Sequence, residues 1–100
     1  GISLTKAWSM EFAEYGIRVN TVCVGLLKSR QHLRRVEGIQ AKDPSYTVDT
    51  HWESMGKGVP LGRVGEAQEA GDVIAFLCSA RARYVTGTAV NVDGGTSPVV

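Results

Sequence analysis

One hundred residues, 43% of them hydrophobic and 21% charged, carry a net charge of +1. That balance belongs to a single globular domain and excludes disordered, collagenous and disulfide-scaffold chains. No apolar run approaches the ~18–20 residues of a membrane span, no signal-peptide pattern opens the chain, and near-neutrality supplies no field toward nucleic acid or a membrane surface. Neither is therefore expected as a partner. Cys23 and Cys78 stand in apolar stretches without C-x-x-C spacing and read as reduced core thiols of a cytoplasmic protein.

In chain order, Leu4, Trp8, Phe12 and Tyr15 fall three or four residues apart and predict a helix that Gly16 closes. No capping box precedes it, so the natural chain is expected to extend upstream. Ile17–Val24 is β-branched and predicts a buried strand ending at Gly25. From Lys28 to Gly65 the chain is polar and irregular, with two of the three prolines and five glycines. One short helix, Arg30–Gln40, is expected there, with Leu33, Val36 and Ile39 on one face. A clearer helix covers Glu66–Ser79, where Ala70, Val73, Ile74, Leu77 and Cys78 share a face. A last strand, Thr88–Val92, runs into the turn Asp93-Gly94-Gly95.

Strand, long excursion, helix and strand make a parallel βαβ crossover. Two strands and two main helices cannot cover both faces of a parallel sheet, which needs helices on each side. The missing layers are expected from an upstream segment or a partner chain, and the isolated chain is expected to fold poorly.

Most catalytic constellations are absent. His32, His51, Cys23 and Cys78 are scattered in sequence, so no metal site is expected. No G-x-S-x-G elbow occurs. The glycines of Gly56-Lys57-Gly58-Val59-Pro60-Leu61-Gly62 follow no strand and open no helix, so they do not read as a phosphate loop.

Three segments are specific when taken together: YGIRVNTVCVGLLKS, VPLGRVGEAQEAGDVIAFLCS and YVTGTAVNVDGG. In this order and spacing they resemble the C-terminal part of the short-chain dehydrogenases/reductases. The resemblance implies an α/β fold, the C-terminal part of a Rossmann-type doubly wound parallel sheet, with residues 28–65 as the substrate-lobe insertion. It implies NAD or NADP as cofactor, without a choice between them, and a small carbonyl or alcohol substrate. The family's catalytic serine and Tyr-x-x-x-Lys have no counterpart here. Val19, Thr50 and Thr88 stand four residues after Tyr15, Tyr46 and Tyr84, and Lys6 lies two turns beyond the family's lysine position. No catalytic residue is assigned to this chain.

The family's P-G-x-I-x-T loop maps onto Val24, Gly25, Leu27 and Ser29, which the resemblance implies as cofactor-binding: backbone groups on the nicotinamide carboxamide, a hydroxyl on the cofactor. Val24 replaces the usual proline. The run Lys28–Arg35 carries four formal positive charges, either a solvated helix face or part of a lid over the substrate pocket. Tyr46, His51 and Trp52 line that lobe or pack beneath it, and Arg63 is expected to tie it to the sheet edge. The resemblance further implies a homotetramer or homodimer. The leading expectation is therefore the C-terminal part of an NAD(P)(H)-dependent oxidoreductase, including the 3-oxoacyl-thioester reductase type, with the 100 residues inactive alone. The rival is a non-catalytic short chain that pairs with a dehydrogenase subunit.

Overall fold

The computed structural model describes residues 2–98. Its elements are α1 (Ile2–Phe12), β1 (Thr21–Val24), α2 (Arg30–Gln40), α3 (Val48–Gly56), α4 (Ala67–Cys78) and β2 (Ala89–Val92). They fall into two compact units: residues 1–24 with 68–92, and residues 25–67 with 93–100.

The first unit is built on a parallel pair in which Thr21 faces Ala89, Val22 faces Val90, Cys23 faces Asn91 and Val24 faces Val92. α1 runs into a 3-10 turn over Ala13–Tyr15 and closes at Gly16, whose φ of 73° is the left-handed value that glycine adopts without strain. Its inward face is not the predicted apolar stripe. Thr5 and Ser9 are the buried residues, while Leu4 and Trp8 are close to half exposed. Small hydroxyl side chains let the helix approach closely. Thr5 Oγ1 hydrogen-bonds Thr21 Oγ1 of β1, Ser9 Oγ donates to the Lys6 carbonyl at 2.7 Å, and Gly87 packs where a Cβ would lie 2.7 Å from Ser9 Oγ.

The predicted strand Ile17–Val24 is only half strand, because residues 18–20 bond a loop rather than a ladder. Arg18 donates to the carbonyls of Val85 (3.1 Å) and Ser79 (3.3 Å). Asn20 Nδ2 donates to the Val85 carbonyl at 3.1 Å, and Asn20 Oδ1 accepts from Thr88 N and Oγ1 at 3.1 and 2.9 Å. The Val19 N–H donates to Thr86 Oγ1 and the Val19 carbonyl accepts from Gly87 N. The R-V-N triplet thus sets the register of β2 by gripping the residues just before it.

α4 buries Ala70 and Leu77 but exposes Ile74 and Phe76. Cys78 is exposed and Cys23 half-buried, so the expectation of two core thiols fails for Cys78, which sits at the last turn of α4 on the uncovered side.

In the second unit Leu27 bridges Gly65 in parallel fashion. Ser29 caps α2, which buries Val36, and Thr47 caps α3 by accepting from Thr50 N at 3.1 Å. α3 falls inside the stretch read as irregular. Val48, Trp52 and Met55 are spaced for one helical face, and all three are half-buried. The turn at 93–95 is a lock: Asp93 Oδ1 accepts from Gly95 N and Oδ2 from Ser97 N, both at 3.0 Å, while Gly94 O accepts from Leu61 N at 3.0 Å. The amides of Val59 and Gly62 bond the carbonyls of Gly56 and Val59, so these groups of the glycine-rich stretch are taken up locally. No described helix is long and apolar enough to cross a membrane.

Candidate functional site

The segment singled out by its residues is the turn that leaves β1. Val24 is the last strand residue and is half exposed. Gly25 follows in an unusually tight place, where an added Cβ would stand 2.6 Å from Asp93 Cβ and 2.9 Å from Asp93 Cα. The close approach that glycine permits is therefore made, within the protein, by Asp93.

Leu27 lies at the bridge to Gly65, and the bonding there has a direction. Gly65 N donates to the Leu26 carbonyl at 3.0 Å, and Lys28 N donates to the Gly65 carbonyl at 2.8 Å. Alternate residues of an extended segment present their backbone groups to opposite edges. The Leu27 N–H and C=O consequently face away from Gly65, and neither has a backbone hydrogen bond among the described residues. One donor and one acceptor on a single residue match a primary carboxamide, whose carbonyl accepts while its NH2 donates.

Ser29 is the N-cap of α2, and its Oγ accepts from His32 N at a long 3.5 Å. A hydroxyl that accepts still has its own proton to donate. Ser29 also lines a depression of ≈ 370 Å³ with Lys28, Arg30, Leu33 and Trp52. The predicted basic run divides here. Lys28 is paired with Glu66 at 2.8 Å and lies 5.9 Å from the Trp52 ring, whereas Arg34 and Arg35 are exposed on α2.

Between α2 and α3 the structure gathers His32, Tyr46, His51 and Trp52, of which the sequence suggested only the last three as a group. Tyr46 Oη and His51 Nδ1 share a hydrogen bond of 2.7 Å. The His32 and His51 rings are 5.7 Å apart between centroids, and Trp52 stands edge-on to both. Burial, and then the charges of Arg35 and His51, hold the His32 imidazole below its ordinary pKa.

The family model described as enoyl-(acyl carrier protein) reductase matches residues 2–97, and the chain belongs to the short-chain dehydrogenase/reductase family. Sorbitol-6-phosphate 2-dehydrogenase of Klebsiella pneumoniae is 39% identical over 95 residues, which are 93% of this chain and 36% of that protein. The apo structure of a short-chain oxidoreductase from Pseudomonas aeruginosa with an atypical catalytic center superposes with a TM-score of 0.88 at 34% identity, over 99% of this chain and 38% of that one. An NADPH-bound structure, likewise of a Pseudomonas aeruginosa short-chain oxidoreductase with an atypical catalytic center, gives 0.79 at 35% identity, over 99% and 36%. The chain thus spans little more than a third of the proteins it matches. The parallel pair and its helices are part of a Rossmann-type fold.

Proposed function

We propose that these residues are the C-terminal portion of an NAD(P)(H)-dependent oxidoreductase. The whole protein would move hydride reversibly between a nicotinamide ring and a carbonyl or alcohol carbon. The observation that carries this reading is the Leu27 backbone, whose N–H and C=O are left without a backbone partner on the residue that the family loop aligns with the carboxamide. When bound, the dinucleotide supplies the hydride chemistry. The chain's own part is to hold the carboxamide through Leu27, to offer the Ser29 hydroxyl as a donor, and to keep Val24 as an apolar neighbour of the ring. Gly25 sets the path of the turn by its fit to Asp93. The chain contains no Tyr-x-x-x-Lys, so proton transfer to the substrate oxygen falls to residues outside it.

Residues 28–65 serve as the substrate lobe in this proposal, with a 3-oxoacyl thioester as the proposed carbonyl substrate. The protein would act as a dimer or tetramer in the cytoplasm. The family model's description and the sorbitol-6-phosphate enzyme differ in substrate, so it is the family's reaction type that supports the reading.

The test uses the full-length polypeptide. Ser29→Ala should raise the KM for the nicotinamide cofactor roughly tenfold, the equivalent of one lost hydrogen bond of about 1.4 kcal/mol, and Ser29→Thr should retain the wild-type value. A Ser29→Ala protein with lowered stability and unaltered cofactor KM would reduce Ser29 to a helix cap. A folded full-length protein that binds neither NADH nor NADPH would overturn the oxidoreductase reading in favour of a non-catalytic partner.

A further inference from the structure

The hydride-transfer reading makes no use of the ring cluster between α2 and α3. We propose that His32 and His51 form a two-imidazole site for a divalent transition-metal ion of the zinc class, with Tyr46 orienting His51.

Two ring nitrogens, His32 Nδ1 and His51 Nε2, are fully buried and have no hydrogen-bond partner among the described residues. His51 as a whole is only 7% exposed. A buried polar atom left unpaired is costly, and here two such atoms occur on neighbouring rings, one on α2 and one on α3, tilted 50° to each other. Their separation is the second observation. A zinc ion lies ~2.0–2.1 Å from a histidine nitrogen, itself about 1.1 Å from its ring centre, so two rings sharing one tetrahedral ion place their centroids roughly 5.1 Å apart. The observed 5.7 Å is that of two ligands opened to about 130° at such an ion.

The remaining nitrogen of His51 completes the pattern. A metal-bound histidine usually donates its other N–H to a fixed acceptor, which sets the tautomer and the ring plane. With the proton on His51 Nδ1, the 2.7 Å bond runs from Nδ1–H to Tyr46 Oη, and Nε2 presents its lone pair inward. His32 does the same from Nδ1 when its proton is on Nε2. Capped helices hold both rings, His32 in the first turn of α2 behind Ser29 and His51 in the first turn of α3 behind Thr47.

Among the described residues no third histidine, cysteine or carboxylate joins the pair, so water completes the coordination. The neighbouring Arg35 acts against a cation, while Lys28 is neutralised by Glu66 at 2.8 Å. Two imidazoles beside one guanidinium make a weaker site than the three- and four-ligand zinc sites of proteins.

The experiment is calorimetric titration of the full-length protein, stripped with a chelator, with zinc chloride, beside the copper(II) spin-resonance spectrum of the same protein. One equivalent of zinc with micromolar affinity is expected, and copper should show coupling to two imidazole nitrogens. His32→Gln and His51→Gln should each weaken zinc at least tenfold, and Tyr46→Phe about tenfold. Absence of zinc binding, wild-type binding by His32→Gln with an intact circular-dichroism spectrum, or copper without nitrogen coupling would each overturn the site. Because the copper spectrum is taken on the wild-type protein, a variant that fails to fold does not remove the test.

Discussion

Gly25 shows how one residue can look functional for a reason that is first of all steric. Its missing Cβ is the space that Asp93 occupies, at 2.6 and 2.9 Å from where that Cβ would stand. Gly25→Ala must push back backbone, and a loss of about 1–3 kcal/mol is expected in urea unfolding of the full-length protein, the usual range for an overpacked site. Asn20 is a second such position. Asn20→Ala removes partners from the Val85 carbonyl and from both donors of Thr88, and should cost about 2–3 kcal/mol in the same measurement. His32 adds a pH dependence. Its folded-state pKa is lowered, so the unfolded chain binds the proton more readily. The stability it allows is complete above the unfolded value of about 6.5 and falls as pH drops through the lower folded value. In a chelator, thermal midpoints should decline from pH 7.5 to pH 5, and His32→Gln should flatten that slope.

At the scale of elements, every helix and strand but α3 is legible in the sequence, while their faces are less so. The three-and-four spacing of Leu4, Trp8, Phe12 and Tyr15 located α1, yet Thr5 and Ser9 turn inward. Periodicity finds a helix from its apolar stripe and does not say which neighbour covers that stripe. The strand 17–24 was overlong because Arg18, Val19 and Asn20 have strand-like neighbours but bond the 79–88 loop, a pairing more than sixty residues distant that composition does not carry. α3 was hidden by the proline and glycines around it, although Thr47 with Asp49 two residues on is a helix-start signal. Thr47→Ala should destabilise the second unit by about 1 kcal/mol, read by hydrogen exchange of the α3 amides. The candidate loop is assigned by its resemblance to the family motif. The direction of the Leu27 backbone was not visible, because it depends on the bridge to Gly65. The meeting of His32 with His51, nineteen residues apart in sequence, was invisible for the same reason.

At the scale of the whole molecule, the described residues leave much apolar surface uncovered. Met10, Tyr15 and Tyr84 are exposed in the first unit, as is Leu61 in the second. A cavity of ≈ 500 Å³ opens in the first unit, lined by Arg18, Val22, Ile74, Leu77 and Cys78 among others. Two paired strands are marginal by themselves, and a parallel pair more so when its faces are bare. The 100 residues alone should therefore bind a hydrophobic dye and melt without cooperativity, and a sharp monomeric transition would contradict that. The central claim, a C-terminal portion of an oxidoreductase, is tested most directly by the intact mass and N-terminal sequence of the natural polypeptide from its native source. A mass well above 10.7 kDa is expected, with a Tyr-x-x-x-Lys sequence before Gly1. A mass equal to that of these residues would contradict it.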